Sequence, residues 1–164
     1  MSEHRRPLLF VDVDGVISLF GFEANGALPG VPAWVDGALH VLSRRAGREL
    51  VRLSEAFDLV WATGWEEKAN EYLPRLLELP WRELPVVRFD GAPRPGGAHW
   101  KLNAIERFAG GRPLAWIDDN LDRTCWAWAR ERSAPTLLVA TEPAIGLTPD
   151  HTRELLAWAG TLVR

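Results

Sequence analysis

Short apolar runs alternate with segments of helical periodicity along this chain. The run Leu8 to Val11 is wholly apolar, which is typical of a central parallel strand buried on both faces. Four further short apolar stretches predict strands at 58–62, 86–89, 114–117 and 137–140. Strand and helix therefore follow each other in turn, and this order predicts an α/β fold with a parallel sheet.

The segments between these strands carry the signals of helix starts and ends. Ser43 is suited to cap a helix that reaches about residue 56. A second helix is predicted from about residue 66 to 79, where Pro80 stops it. Further helices are predicted at about 101–108, 121–131 and 149–162.

Two segments are rich in glycine and proline, at 18–37 and 91–97. Such composition predicts loops or hairpins rather than regular core elements. Residues 38–42 would close a hairpin as a short strand. No internal repeat and no long linker interrupts the 164 residues, so one domain spanning residues 1–164 is expected.

Composition and charge exclude some classes of protein. Hydrophobic residues make up 47% and charged residues 25% of the chain, as in ordinary globular proteins. The net charge of −3 gives no general support for binding to polynucleotides or anionic membranes. Cys125 is the single cysteine, so no internal disulfide can form. With no signal peptide and no membrane-spanning run, a cytoplasmic protein is expected.

Reactive side chains stand where the predicted strands end or where a helix begins. In open parallel sheets, ligands bind at the carboxyl ends of the strands. The first, second and fourth strands end at such groups, and a lysine opens the helix before the fourth strand. These residues are Asp12, Asp14, Thr63, Asp118, Asp119 and Lys101.

Together these residue types suit the transfer of a phosphoryl group. Asp12 with one or both of Asp118 and Asp119 can bind a hard cation such as Mg²⁺. Asp12 can also attack phosphorus and form an aspartyl-phosphate. Asp14 can protonate the leaving oxygen and then activate the water that hydrolyses the intermediate.

Two further residues can hold the phosphate. The Thr63 hydroxyl and nearby backbone N–H groups can bind its oxygens, and Lys101 can neutralise its charge. Taken singly, each of these residues has an ordinary structural explanation, as a turn residue, a helix cap or a solvated charge. Four elements in one order, each at the strand end or helix start that its role requires, are much less expected by chance.

The ordered set resembles the haloacid-dehalogenase-like (HAD-like) phosphohydrolase superfamily. The first motif of that family, D-x-D-G-[VT] after an apolar strand, is matched by residues 12–16. The strand-terminal Thr, the Lys and the acidic pair of the family are matched by Thr63, Lys101 and the residues 118 and 119. The resemblance spans residues 7 to 140, and the first and fourth motifs are its most specific parts.

The resemblance implies a Rossmann-like three-layer sandwich, with a five-stranded parallel sheet in the order 5-4-1-2-3 and helices on both faces. It also implies Asp12 as nucleophile, Asp14 as general acid/base, and Mg²⁺ as cofactor. The backbone carbonyl of Asp14 would join the metal ligands, and Asp119 ranks above Asp118 as a direct ligand. Asp rather than Thr at position 14 favours phosphoester hydrolysis over ATPase chemistry.

More narrowly, the stretch 61–70 is similar to the compact HAD domains found alone in bacteria or within RNA-repair proteins. That similarity implies that Trp65, Glu66 and Asn70 face the site, with Thr63, Gly64, Trp65 and Lys101 as the substrate-binding set.

The gaps on either side of Thr63 are too short for the cap domain that many family members carry. We therefore expect an open site, with residues 18–37 and 91–100 as its rim. Such a site suits a nucleotide, a nucleic-acid end or another bulky phosphate, or else a partner subunit covers it.

The closest alternative is a receiver domain, a phosphorylated switch without turnover. Receivers carry their acidic pair first, their acceptor Asp after the third strand, and their Lys last. Here the order is reversed, Asp90 is the only residue placed as such an acceptor, and no Lys follows the fifth strand. A HAD-like domain used only for binding is a second alternative. A dinucleotide-binding or P-loop protein is set aside, because neither glycine-rich motif is present.

Overall fold

The computed structural model describes residues 5–23, 25–91 and 93–163. Residues 24 and 92 of the two predicted rim segments, and the terminal residues 1–4 and 164 of the predicted domain, lie outside this description. The strands are β1 (Leu8–Val11), β2 (Ser18–Leu19), β3 (Val31–Val35), β4 (Ala38–Leu42), β5 (Asp58–Trp61), β6 (Leu114–Asp118) and β7 (Thr136–Ala140). The helices are α1 (Arg44–Leu53), α2 (Glu67–Leu76), α3 (Leu102–Ala109), α4 (Arg123–Glu131) and α5 (Pro149–Thr161).

The central sheet is parallel and has four strands in the order β5-β1-β6-β7. The predicted α/β class with a parallel sheet is therefore confirmed. The predicted five-stranded order 5-4-1-2-3 is wrong, because the segment 86–89 forms no strand. Val86 makes only an isolated bridge to Trp61. Pro85 has no N–H to donate, and Phe89 turns away to pack edge-on against Trp100, with 4.7 Å between the ring centroids.

Helices cover both faces of this sheet, because side chains alternate along the strands. In β1, Leu9 and Val11 lie in the apolar cluster that contains residues of α1, α2 and α5. Leu8 and Phe10 lie in a second cluster with residues of α3 and α4. All four β1 residues are buried, as the continuous apolar run predicted.

A second sheet grows out of the glycine- and proline-rich excursion after β1. Its three antiparallel strands lie in the order β2-β4-β3. Strands β3 and β4 form a hairpin that turns at Asp36 and Gly37, both of which have positive φ. The predicted hairpin and its closing strand at 38–42 are thus present, and the excursion is an ordered structure beside the central sheet.

Several helix ends match the predicted capping residues. The Ser43 side chain accepts a hydrogen bond from the Ala46 N–H at 3.0 Å, and Thr148 caps α5 with Pro149 in its first turn. Lys101 is an exception, since it ends a short 3-10 helix (Ala98–Lys101) and α3 begins after it. No helix among the described residues is both long and apolar enough to cross a membrane.

Candidate active site

Three carboxylates meet at the carboxyl ends of the two central strands. Asp12 directly follows β1, and its N–H donates to the Ile117 carbonyl in β6 at 3.1 Å. Asp118 is the last residue of β6 and Asp119 follows it. Each of the three acids offers one oxygen, and these oxygens lie within 4.8 Å of one another. Strand pairing between β1 and β6 therefore brings together acids that are about a hundred residues apart in sequence.

The ammonium group of Lys101 is buried in this cluster. Its Nζ lies 2.7 Å from Asp118 Oδ2 and 3.2 Å from Asp12 Oδ1. It also donates to the Ala62 carbonyl at 3.0 Å. Only 4% of Lys101 is exposed, so the ion pairs are shielded from solvent and from salt.

Asp122 holds the segment that presents Lys101. Its carboxylate accepts hydrogen bonds from the backbone N–H and from Nδ1 of His99, at 3.1 and 2.8 Å. The same carboxylate caps α4 by accepting from the Thr124 N–H. A Cβ on Gly97 would collide with Asp122, so the close approach of the two segments requires glycine. In the sequence, the only signal for Asp122 is that an aspartate at this position can cap a helix.

Asp12 is oriented through one oxygen alone. Oδ1 accepts the Val13 N–H at 2.8 Å and faces the Lys101 ammonium group. Among the described residues, Oδ2 has no hydrogen-bond partner, so it is the oxygen available for a cation or for attack.

The two acids of the pair differ in their contacts. Asp118 uses both oxygens within the protein, since Oδ2 binds Lys101 and Oδ1 accepts the Asn120 N–H at 2.9 Å. Asp119 is half-buried and accepts no side-chain hydrogen bond from another described residue. Its carboxylate lies directly over Gly15, where any Cβ would collide with it. Asp119 is therefore the freer of the two for a direct bond to a cation.

Negative charge in the cluster exceeds positive charge. Burial raises the pKa of Asp12 well above its ordinary value, and Lys101 opposes this shift only in part. Burial and the neighbouring Asp118 raise the pKa of Asp119 to about 6. Burial acts to lower the pKa of Lys101, but the carboxylates outweigh it and leave that pKa raised. Three acids around one lysine make a donor set of hard oxygens, which fits Mg²⁺.

A cavity of about 180 Å³ opens above the cluster. Asp12, Asp14 and Gly64 line it, together with Lys101 and the acidic pair. Thr63 is fully buried and does not line the cavity; its Oγ1 accepts the Trp65 N–H at 3.2 Å. The structure thus brings Gly64 to the cavity surface and leaves the Thr63 hydroxyl buried in the protein.

The other lining residues come from the predicted rim segment 91–100 and from the position after the acidic pair. They are Pro93, Ala98, Trp100 and Asn120. Trp100 precedes Lys101 directly, and its ring lies 5.5 Å from the Lys101 Nζ. In the sequence, the one signal for these lining residues is the bulky Trp100 directly before the candidate lysine.

The residues after Thr63 divide between the site and the core. Trp65 reaches the site, because its Nε1–H donates to Asp14 Oδ2 at 3.1 Å. Asn70 does not: its amide binds the Trp61 indole and the backbone of Leu84. The implied placement of Asn70 at the site is therefore wrong, since its polar atoms are used to fasten α2 to the segment after it. Glu66 has no side-chain hydrogen bond to another described residue, and its φ is +47°.

Comparisons with known proteins support the same architecture. The fold is similar to that of the HAD domain of the effector protein Lem4 from Legionella pneumophila, with a TM-score of 0.62 at 14% identity, over 99% of this chain and 100% of that one. An inactive mutant of that domain gives a TM-score of 0.61 at 12% identity, over 98% and 97%. No protein-family model and no curated protein matches the sequence. The chain therefore has a HAD-like fold, as the motif resemblance implied, and at this identity the likeness extends to the fold alone.

Asp119→Asn should stabilise the metal-free protein at neutral pH. Because the pKa of Asp119 is raised from 3.8 to about 6, the folded chain retains a proton that the unfolded chain loses between those values. This contribution to stability therefore falls as pH rises through that window. After solvent screening at a half-buried position, the gain at pH 7 should be on the order of 1 kcal/mol.

The measurement is urea denaturation with a chelator at pH 5 and pH 7. The gain should be smaller at pH 5, and Mg²⁺ should stabilise the wild type more than the variant. Asp150→Asn, at an exposed acid paired with Arg153, serves as control. An equal gain at both pH values would contradict the assignment of the raised pKa to Asp119.

Lys101→Met should destabilise the protein far more than Lys68→Met, at the only other lysine. The Lys101 substitution leaves three carboxylates without their buried cation, at a cost of about 3 kcal/mol at pH 7, the lower end for a broken buried pair because Asp12 can take up a proton. Lys68 pairs with Asp36 at the surface, where such pairs contribute little. Chemical denaturation of both variants measures the difference, and similar stabilities would show that the buried ion pair does not sustain the cluster.

Proposed function

We propose that this chain is a Mg²⁺-dependent phosphomonoester hydrolase, a phosphatase that forms an aspartyl-phosphate on Asp12. One observation carries this proposal: three carboxylate oxygens lie within 4.8 Å of one another beside a buried lysine, at the carboxyl ends of two central strands. That is where ligands bind in open parallel sheets. The HAD-like fold supports the same reaction class by analogy only.

The contacts of the acids indicate how the cation would be held. Asp12 and Asp119 would bind it directly, together with the backbone carbonyl of Asp14. Asp118 would bind through water, because Lys101 and the Asn120 N–H already engage its two oxygens. When bound, Mg²⁺ offsets the repulsion between the phosphate and the Asp12 carboxylate. A cation would also favour the ionised form of Asp12, whose pKa burial raises.

Two displacements at phosphorus make up the reaction. In the first, the Asp12 carboxylate attacks phosphorus, the bond to the leaving oxygen breaks, and Asp14 gives that oxygen its proton. In the second, Asp14 takes a proton from water, the water oxygen attacks phosphorus, and inorganic phosphate leaves with Asp12 regenerated. Asp14 lines the cavity, which suits a group that acts in both steps.

Lys101 and the loop after β5 would hold the phosphoryl group. The Lys101 ammonium group faces both Asp12 and Asp118 and would neutralise charge as the bonds change. Thr63 and the backbone at Gly64 remain our proposed phosphate-binding set, whereas the Trp65 N–H already donates to Thr63 Oγ1. Since Thr63 is buried, its hydroxyl would act after a local movement or by fixing the loop through the Trp65 N–H.

We further propose a bulky phosphate as substrate, such as a nucleotide or a nucleic-acid end. The cavity of about 180 Å³ has room for a phosphoryl group and a cation, so the rest of the substrate would lie outside it, past the segment 93–100 that lines one side. A partner subunit that covers this opening is the other arrangement we propose. The cytoplasmic location stays a prediction.

A non-enzymatic role is the alternative, as a phospho-switch or a binding domain of HAD-like or receiver-like fold. In a receiver arrangement Asp90 would be the acceptor. It is instead exposed at the surface, where it pairs with Arg107 at 2.7 Å, and it does not line the cavity above the acidic cluster.

Asp12→Asn should abolish hydrolysis of p-nitrophenyl phosphate. The carboxamide lacks the anionic oxygen that attacks phosphorus, so we expect a loss of at least about a thousandfold in kcat. A chelator should have the same effect on the wild type, and added Mg²⁺ should reverse it. Asp90→Asn, at the acceptor position of the receiver alternative, should keep full activity. Undiminished turnover by the Asp12 variant would rule out its role as nucleophile.

The substrate class can be tested with a panel of phosphates of different size. Because a cavity of about 180 Å³ would leave most of a large substrate outside it, nucleotides and 3′- or 5′-phosphorylated oligonucleotides should show higher kcat/KM than small sugar phosphates. Release of inorganic phosphate measures all of them in one assay. A clear preference for the small sugar phosphates would contradict the open site.

A further inference from the structure

Trp65 connects the proposed general acid to the rest of the fold. Its Nε1–H donates a hydrogen bond of 3.1 Å to Asp14 Oδ2. Among the described residues, no other side chain or backbone group hydrogen-bonds to this carboxylate. Asp14 is also exposed, so without Trp65 its side chain would be free to rotate. The indole thus fixes one oxygen of the carboxyl group.

Trp65 is itself held on two sides. Its backbone N–H donates to Thr63 Oγ1 at 3.2 Å, which fixes the start of the loop. Its ring packs edge-on against the His40 imidazole, with 4.8 Å between the centroids and 69° between the planes. Such aromatic pairs prefer this geometry. The indole therefore has a defined position before any substrate arrives.

His40 belongs to β4, so the contact links Trp65 to the hairpin. His40 Nδ1 and the buried Ser18 Oγ are hydrogen-bonded at 2.8 Å, which fixes the imidazole. At the hairpin turn, Asp36 pairs with Lys68 and accepts a hydrogen bond from the Tyr72 hydroxyl at 3.0 Å. Lys68 and Tyr72 lie on α2, so the hairpin is fastened to the helix that follows Trp65.

We propose that Trp65 is a positioning residue for the general acid Asp14, rather than part of the substrate-binding set. This inference rests on the proposed phosphatase function. The indole N–H holds Oδ2, and Oδ1 is left to carry the proton toward the cavity that Asp14 lines. The chain from Ser18 through His40 to Trp65 makes the hairpin a support for the catalytic proton transfer.

The role concerns proton transfer by Asp14, and the first displacement is the step in which it can be measured against the leaving group. As Asp12 attacks, the bond from phosphorus to the leaving oxygen breaks, and the electron pair stays on that oxygen. The proton on Asp14 Oδ1 then moves to it, while Oδ2 continues to accept from the indole N–H. A leaving group that is stable as an anion needs this proton little, and a poor leaving group needs it most.

Trp65→Phe is the variant that tests this role, because it keeps an aromatic ring against His40 and removes the N–H donor. The measured quantity is kcat/KM for phosphate monoesters whose leaving groups range from p-nitrophenol to simple alcohols. For alkyl phosphates we expect a decrease of about tenfold, and for p-nitrophenyl phosphate a change within about twofold. A plot of log kcat/KM against leaving-group acidity should therefore be steeper for the variant.

Two further variants separate positioning from general damage. Trp126→Phe, at a partly exposed tryptophan on α4, should leave the plot unchanged. His40→Ala removes the ring that supports Trp65, and it should steepen the plot in the same direction by a smaller factor. Inhibition by orthovanadate, which occupies the phosphoryl position, should remain at the wild-type constant in Trp65→Phe, since Asp12 and Lys101 are untouched.

The possible results decide between these roles. An equal decrease for every leaving group would overturn the proposal and make Trp65 a structural or substrate-binding residue. No decrease for alkyl phosphates would overturn it as well. If the wild type hydrolyses none of the esters, the proposed phosphatase function fails, and the positioning role fails with it. If the wild type is active and its plot is parallel to that of Trp65→Phe, only the positioning role is contradicted.

Discussion

The structure of the site depends on an imbalance of buried charge. Asp12, Asp118 and Asp119 share a small volume with a single ammonium group, that of Lys101. Burial and mutual repulsion raise the pKa of Asp12 and Asp119, so the cluster is unfavourable in its ionised form until further positive charge enters. A protein that keeps such a cluster gives up stability at this point. The proposed binding of a cation and the proposed role of Asp12 both start from that one constraint.

The surrounding backbone is built to permit this crowding. Gly15 leaves room for the Asp119 carboxylate, and Gly97 leaves room for Asp122, which in turn holds the segment that carries Lys101. Thr141, just after β7, donates to the Gly15 carbonyl at 2.8 Å and so ties the turn that bears Asp14 to the sheet. Because these glycines have no side chain, the neighbouring segments approach closely, and this packing sets the positions of the charged groups.

The hairpin joins the candidate site to the rest of the fold. Its turn is fastened to α2 through Asp36, and its second strand supports Trp65 through His40. A segment that composition alone marked as rim is thereby joined to the group proposed to move protons. The same architecture recurs in a domain of 14% identity, which is consistent with folds tolerating wide sequence change where layers and strand ends are kept.

The sequence by itself determined the α/β class, the buried first strand and most helix starts, because these depend on local periodicity and capping. Motif order also pointed to Asp12, Asp14, Lys101, Asp118 and Asp119, which line one cavity, but it did not show that Thr63 is buried outside that cavity. The sequence could not determine the structure of the segment 86–89. Its apolar residues fit a strand, but the preceding Pro85 limits it to a single bridge, and Phe89 packs against Trp100. Nor could it separate Asn70, used to fasten α2, from Trp65, which reaches Asp14. Both residues follow the same motif, and only the packing of the hairpin and α2 around them decides which polar groups remain for the site.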